Sequence, residues 1–343
     1  MMDLYQTARP DHASAANSAI LSVEEARASS SGGSMLPFVA LGVTIVALAL
    51  LPLITTGYAL TLAVDAMMLA IFALGLNVLV GYTGLVSVGS AMFVGLGGYG
   101  IAVTGKLLGL SLWIAFPLTL ALVALISIGV GMVCIRTRGV EFLLITLAFS
   151  QMFFGAAIKL PWMGGTDGMS GISRPDLSWL GLNADDLVTF YGYVGFVLAL
   201  VLLFLWRMTR SPFGSVLMAI RENERRAISM GYRTSLFKMG AFVISAVICA
   251  IAGILRAQFT YFVSPDTMSW QASGEGLLVV IIGGAGTLFG PLVGALLHIS
   301  VKHGLSEVTE EYNLFFGLFF MLVVVLFRGG VVGALNGLLG KSK

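Results

Sequence analysis

The sequence is poor in charge. Only 10% of its 343 residues are charged, while 58% are hydrophobic. A soluble domain has roughly 25% charged residues and less than half apolar ones, so this composition excludes an ordinary cytosolic enzyme. The net charge is only +2 and no Lys/Arg cluster is interleaved with aromatic residues, which excludes a nucleic-acid partner. The long uncharged stretches predict a polytopic membrane protein.

Cysteine and histidine are also scarce. The two cysteines lie far apart in apolar runs, which excludes a disulfide framework, and the three histidines are too dispersed for a metal cluster. Residues 95–100 fit the pattern G-x-G-x-x-G, but they lie in an apolar segment rather than between a strand and a helix of a soluble βαβ unit. We therefore expect no catalytic residue, no metal and no cofactor in this chain.

The distribution of apolar residues predicts the domain organisation. Residues 1–34 are rich in Ser and Ala and predict a disordered tail, 35–335 predict one transmembrane domain, and 336–343 form the C-terminal end. A membrane-spanning helix needs about 20 mostly apolar residues. Eight stretches meet this requirement: 36–57, 60–80, 84–104, 111–134, 140–160, 188–206, 237–262 and 313–327. A further stretch, 276–301, is interrupted by glycines and predicts either one span or two half-length helices.

Lys and Arg predict the orientation, because they favour the cytoplasmic side of short loops. The loop 207–236 is rich in Arg and is predicted to be cytoplasmic, whereas the acidic loop 161–187 is predicted to be periplasmic. The basic C-terminal end returns to the cytoplasm if 276–301 crosses twice or if it does not cross fully at all, and two crossings are the prediction. The fold class predicted is thus an all-α bundle of about ten transmembrane helices with both termini in the cytoplasm.

Glycine, at 43 residues, is concentrated in two segments, 81–100 and 283–294. Paired glycine-interrupted segments are typical of broken helices along a transport pathway. Close helix packing explains glycine equally well, and both interpretations stay open. The pathway candidates are Gly84, Ser87, Gly89, Ser90, Gly283, Gly284, Gly286, Thr287 and Gly290.

Ionisable residues within the apolar segments give a weaker signal of transport. Asp65, Glu141 and Arg256 are the examples, and each falls near a predicted helix end, where a long side chain reaches water without any transport role. The scarcity of charge near the midplane argues against an ion-coupled carrier, which is the alternative function.

The cytoplasmic loop contains a helical pattern. Apolar residues recur at helical spacing in 215–230, around a charged centre, and predict short amphipathic helices at the membrane surface. Such helices suit either lipid contact or docking in a groove of a partner protein, and charge alone favours lipid.

Several motifs together resemble a known family. They are GLNVLVGYTGLVSVG (75–89), RGVEFLLITLAFSQM (138–152), GGTDGMSGI (164–172), SPFGSVLMAIRENERRAISMGY (211–232), SPDTMSWQASGEGLLVVIIGGAGTLFGPLVGALL (264–297) and LFRGGVVGAL (326–335). In this order they resemble the LivM-type permeases of bacterial ABC importers for branched-chain amino acids. Ser90 departs from the family, since many members have His there.

The resemblance implies a function and partners. It implies an inner-membrane permease for branched-chain or other hydrophobic amino acids, with urea, amides and aromatic acids as alternative substrates. It also implies two ATPase subunits, a second homologous permease chain and a periplasmic substrate-binding protein. The loop that engages the ATPase would contain Ser211, Pro212, Phe213, Gly214, Arg221, Glu222, Asn223, Glu224, Arg225, Ala227 and Gly231. Within it, Gly231 would end the helix.

Overall fold

The computed structural model describes residues 57–175 and 185–308, together with 314, 315, 317, 318 and 321. The predicted tail, the first predicted span, most of the last span and the C-terminal end lie outside these residues. Within the described part the helices are α1 (Tyr58–Asn77), α2 (Ala91–Ala102), α3 (Leu112–Cys134), α4 (Val140–Lys159), α5 (Leu187–Thr209), α6 (Pro212–Ser229), α7 (Thr234–Thr260), α8 (Trp270–Gly283) and α9 (Gly290–Val308).

The chain is mostly helical in its described part, as the sequence predicts. Five helical segments there are long and apolar enough to cross a membrane: Tyr58–Thr83, Leu112–Cys134, Val140–Lys159, Leu187–Thr209 and Thr234–Thr260. The total of ten spans stays a prediction.

Helices α1 and α7 form the core of the bundle. In an apolar stretch of 18 residues within each helix, 78% of the residues of α1 with its π-helical extension and 67% of those of α7 are buried, against 22–39% in α3, α4 and α5. A helix that is apolar all round and buried is typical of a bundle centre, whereas partly buried apolar helices present a face to lipid. Small residues allow the close contact: a Cβ at Gly97 of α2 would clash with the backbone of Ala250 in α7.

The predicted span 84–104 was wrong at its start. A π-helical turn, Val78–Thr83, extends α1, and residues 84–90 are not helical, so α2 begins only at Ala91. Gly84 has a φ of 73°, a left-handed conformation that favours glycine and ends the helix. After Ala102 a second π-helical turn, Val103–Leu107, completes the segment.

The stretch 276–301 contains a helix break, as the sequence predicts. Helix α8 ends at Gly283, residues 284–289 are irregular, and α9 begins at Gly290. Gly284 and Gly286 have φ values of 114° and 87°. Whether the two helices each cross the membrane stays a prediction.

The connections gather at two ends of the bundle. The basic end, as we call it, contains residues 81–84, 135–139, 284–289 and the whole of α6. The opposite end contains the described residues 160–175 of the α4–α5 connection and the α7–α8 connection, where β1 (Met169–Ser170) and β2 (Phe262–Val263) pair in a short antiparallel sheet.

Candidate functional site

Helix α6 starts with a complete N-terminal cap. The Ser211 side chain accepts a hydrogen bond from the Gly214 backbone N–H at 3.5 Å and donates one to the Met208 carbonyl at 2.6 Å. Pro212 occupies the first helical turn, where no backbone donor is needed. Gly214 is buried, and a Cβ there would clash with the carbonyls of Met208 and Thr209. The residues 211–214 therefore fix the angle at which α6 leaves α5.

Helix α6 consists of two short segments joined at a kink. Asn223 has non-helical backbone angles, φ −158° and ψ 99°, and its side chain accepts a hydrogen bond from the Arg226 N–H at 3.1 Å. Asn223 thereby caps the second segment. Both segments bury an apolar side, since Val216, Ile220 and Ala227 form one cluster with Phe237 of α7. This arrangement agrees with the amphipathic helices predicted from the sequence.

Gly231 ends α6 in a Schellman motif. Its φ is 88°, its N–H donates to the Ile228 carbonyl at 2.9 Å, and the Tyr232 N–H donates to the Ala227 carbonyl at 3.2 Å. This pair of bonds satisfies carbonyls that a helix end leaves free, and it needs a left-handed residue. The position of Gly231 is therefore fixed by backbone geometry.

Glu224 faces its own chain. Its carboxylate pairs with Lys238 Nζ at 2.5 Å and with Arg138 Nε at 3.3 Å, and it accepts a hydrogen bond from Thr234 Oγ1 at 3.3 Å. Lys238 is buried, so sequence reasoning could not recognise it as the partner. Glu224 thus holds α6 against α7 and the α3–α4 connection.

The outward side of α6 is exposed and mixed in character. Met218, Ile228 and Met230 are 47%, 48% and 66% exposed. Around them lie the exposed charged or polar residues Glu222, Asn223, Arg225 and Arg226. We call this surface the outer face of α6.

Arg221 connects α6 to both glycine-rich segments. Its guanidinium donates a hydrogen bond to the Gly81 carbonyl, and a Cβ built on Gly84 would lie 3.3 Å from Arg221 Cγ. A Cβ built on Gly286 would clash with the same guanidinium. One side chain from α6 therefore lies between the end of α1 and the break after α8.

Asn77, the last residue of α1, bonds the second glycine-rich segment. Its Nδ2 donates to the Thr287 carbonyl at 2.8 Å, and its Oδ1 accepts from the Gly286 N–H at 2.9 Å. Asn77 is almost completely buried. Sequence reasoning missed this residue, although a lone Asn at the end of an apolar helix was a visible signal.

The other pathway candidates are held by packing and local hydrogen bonds. A Cβ at Gly89 would clash with the Thr146 carbonyl, and one at Gly283 with the Gly290 carbonyl. Ser87 and Ser90 are buried and share a hydrogen bond of 3.1 Å between their hydroxyls. Thr287 Oγ1 donates to the Gly284 carbonyl at 2.8 Å and accepts from the Gly290 N–H at 3.1 Å. The glycines therefore serve both interpretations: some break helices and others permit close packing.

A cavity of about 770 Å³ lies closer to the opposite end. Its walls come from α1, α2, α7, the α7–α8 connection, α8 and α9. None of the nine predicted pathway residues lines it, nor do they line the smaller cavity of about 140 Å³ beside it. The residues on its walls are Leu69, Phe72, Ala91, Val94, Arg256, Ser264, Asp266, Thr267, Ser269, Trp270, Gln271, Ala272, Gly274, Glu275, Leu277, Leu278 and Lys302.

The predicted intramembrane charges have different surroundings. Arg256 is exposed towards the cavity, Asp65 is partly buried within electrostatic range of Arg256, and Glu141 is exposed at the start of α4. Sequence reasoning missed Glu275, whose Oε1 bonds His298 Nε2 at 2.8 Å and Lys302 Nζ at 3.0 Å. Arg256 and Glu275 therefore lie on the cavity walls, whereas Arg221 lies at the glycine breaks and the buried Lys238 pairs with Glu224.

Comparison with known proteins gives consistent results. Residues 58–327 match the family described as "Branched-chain amino acid transport system / permease component". The chain is 29% identical to the high-affinity branched-chain amino acid transport system permease protein LivM of Escherichia coli, over 77% of this chain and 67% of that protein. It is 28% identical to LivM of Salmonella typhimurium, over 80% and 70% respectively.

A more distant relative has a different named substrate. The autoinducer 2 import system permease protein LsrC of Photorhabdus laumondii is 29% identical over 39% of this chain and 42% of that protein. No solved structure matches the chain significantly.

Proposed function

Since the chain belongs to the family of permease components of branched-chain amino acid transport systems, we propose that α6 couples ATP hydrolysis to a membrane pathway for hydrophobic amino acids. Family membership makes the chain a permease component of such an ABC importer, an integral inner-membrane protein that works with ATPase and substrate-binding partners. The observation that carries the proposal is the contact of Arg221 in α6 with Gly81 and Gly286.

The proposed orientation has the basic end in the cytoplasm. Residues 135–142 and 207–238 together contain nine Lys or Arg residues and three Glu residues. This excess of positive charge supports a cytoplasmic position. The proposal retains ten membrane crossings and cytoplasmic termini, with α8 and α9 as two short crossings that meet at the break 284–289.

In the proposed coupling step, the outer face of α6 docks in a cleft of an ATPase subunit. Exposed Met and Ile side chains flanked by charges suit such a groove, because the apolar residues supply contact area and the charges supply specificity. Two ATPase subunits and a second permease chain complete the proposed assembly. Lipid contact by the same face is the alternative outcome.

Movement of α6 would reach the membrane helices through three contacts. The Glu224–Lys238 pair and the apolar cluster around Ala227 hold α6 to α7, and Arg221 reaches both glycine-rich segments. A short rigid helix that is fixed at several points transmits displacement to what it contacts. We propose that the contact between 81–84 and 284–289 opens and closes the cytoplasmic side of the pathway.

The proposed substrates are branched-chain or other hydrophobic amino acids. The two LivM relatives are 29% and 28% identical over 77% and 80% of this chain, whereas LsrC of Salmonella typhimurium is 27% identical over 69% of it. Urea, amides and aromatic acids stay alternative substrates. An ion-coupled carrier is not supported, because the matching family is the permease component of a transport system.

The experiment compares Gly231→Val with a matched variant, Gly192→Val, in the reconstituted importer. Valine at Gly231 cannot adopt the left-handed conformation without strain, so α6 would end differently. Gly192 lies in α5, where a Cβ would meet no neighbouring atom. We expect Gly231→Val to lose ATPase co-purification and leucine uptake, and Gly192→Val to retain both. Full uptake in Gly231→Val would contradict the coupling role of α6.

A further inference from the structure

We propose that the 770 Å³ cavity binds the transported amino acid as a zwitterion, with Arg256 pairing with its carboxylate and Glu275 with its ammonium group. This inference rests on the proposed function and adds to it a binding site within this chain. Ligand sites of small molecules usually measure roughly 300–1,000 Å³ and combine apolar walls with a few placed polar groups. The cavity meets both conditions.

Arg256 is available to a ligand. Its side chain lines the cavity and is exposed, and the described residues place no hydrogen-bond or ion-pair partner on its guanidinium. Asp65 lies within electrostatic range but not within bonding distance. A guanidinium binds a carboxylate through two parallel N–H···O bonds, so Arg256 suits the carboxylate of an amino acid.

Glu275 is held in place with one oxygen left over. Both of its bonds, from His298 and Lys302 of α9, are made to Oε1, and no donor within 57–175 and 185–308 bonds Oε2. The bonds fix the carboxylate without using all of its acceptor capacity. Oε2 is therefore suited to accept a hydrogen bond from an ammonium group.

The remaining walls suit a hydrophobic side chain. Leu69 and Phe72 of α1 and Leu277 of α8 line the same cavity. The charged side chains on the walls are Arg256, Lys302, Asp266 and Glu275, whose formal charges cancel. A net-neutral ligand with one positive and one negative group complements this surface better than an anion or a cation does.

The experiment measures which ligand group each residue recognises. Radiolabelled leucine binding is measured on the assembled importer in lipid discs without the substrate-binding protein. Competition by 4-methylpentanoate, which lacks the ammonium group, and by 3-methylbutylamine, which lacks the carboxylate, is compared in the wild type, Arg256→Gln and Glu275→Gln. Arg207→Gln and Glu307→Gln are the matched controls, because both residues are exposed and lie outside the cavity.

We expect Arg256→Gln to reduce leucine affinity about tenfold or more while leaving that of 3-methylbutylamine unchanged. Glu275→Gln should also reduce leucine affinity about tenfold or more, while leaving the affinity for 4-methylpentanoate unchanged. The two control variants should bind as the wild type does. Equal losses of affinity for all three ligands would overturn the assignment. Leucine binding in detergent but not in lipid discs would also overturn it, because it would mean that lipid occupies the cavity.

ATP-driven leucine uptake by the complete importer separates the two proposals. Wild-type uptake together with leucine binding that is the same in all variants overturns the cavity site and leaves the proposed function standing. A wild type that takes up no leucine overturns the proposed substrate instead.

Discussion

The guanidinium of Arg221 in α6 donates a hydrogen bond to the backbone carbonyl of Gly81, at the end of the first described helix. The two residues are 140 positions apart in the sequence. The carbonyl belongs to a π-helical turn, where the regular helical bonding pattern is disturbed. A surface helix is thereby bonded directly to the backbone of a membrane helix, at the π-helical turn in which that helix ends.

The first prediction concerns Arg221→Leu. A hydrogen bond from a charged donor contributes about 1.5–3 kcal/mol, so its loss should release α6 from the α1 end. We expect the ATPase subunits to co-purify as before, while ligand-stimulated ATP hydrolysis and leucine uptake fall about tenfold. Arg207→Leu, at the exposed end of α5, should retain both activities. Unchanged uptake in Arg221→Leu would show that this bond transmits nothing.

The second prediction concerns Asn77, which bonds both Gly286 and Thr287. Asn77→Leu leaves the half-buried Gly286 N–H and Thr287 carbonyl without their side-chain partner, at a cost of up to about 1–3 kcal/mol for each group. We expect a lower midpoint of thermal unfolding for the purified permease. Asn77→Asp keeps the acceptor for the Gly286 N–H but puts a buried carboxylate oxygen against the Thr287 carbonyl, so its unfolding midpoint should also lie below that of the wild type. Equal midpoints for Asn77→Leu and the wild type would contradict this role.

The third prediction concerns the break between α8 and α9. Gly284→Leu and Gly286→Leu place side chains at left-handed positions, which cost roughly 1–2 kcal/mol each, and at Gly286 the new side chain also meets Arg221. We expect both variants to insert normally and to lose leucine uptake. Gly304→Leu in α9 is the control, because a Cβ at this position meets no neighbouring atom. Wild-type uptake in Gly286→Leu would mean that the break has room for a side chain.

The sequence predicted those features that depend on local pattern. The break 284–289, the end of α6 at Gly231 and the long apolar helices all follow from nearby residues. The start of α2 was predicted wrongly, because an average over apolar residues includes 84–90 and does not register the left-handed turn at Gly84.

The contacts that join distant segments could not be predicted in the same way. Asn77 and Thr287 are 210 positions apart, and Glu275 meets its two partners only because α8 and α9 fold back on each other. A single sequence contains no signal for such pairs, since their separation is set by packing of the whole bundle. This is why the cavity was missed while the helices around it were found.

The fourth prediction tests the orientation. On a background without Cys134 and Cys249, a cysteine is placed at Ser229 in α6 or at Thr166 in the α4–α5 connection, and both positions are exposed. Because the basic end is proposed to be cytoplasmic, a membrane-impermeant thiol reagent added to intact cells should label position 166 and not 229. Inverted vesicles should give the opposite pattern. Labelling of position 229 from outside intact cells would reverse the proposed topology.

The fifth prediction concerns the pair of Glu224 and Lys238. Lys238 is 3% exposed, so Glu224→Gln would leave a buried ammonium without its closest partner. Breaking a fully buried pair costs about 3–5 kcal/mol, and solvent around Glu224 and Arg138 should reduce the loss here to about 2 kcal/mol.

A second variant separates this structural role from direct contact with the ATPase. Replacing both partners, as Glu224→Gln with Lys238→Met, removes the unpaired charge and should restore most of the thermal stability and the co-purification of the ATPase subunits. Glu222→Gln, on the outer face of α6, should leave stability unchanged and alter only ATPase binding. If the double variant regains stability but still fails to bind the ATPase, Glu224 itself takes part in the contact and does more than position α6.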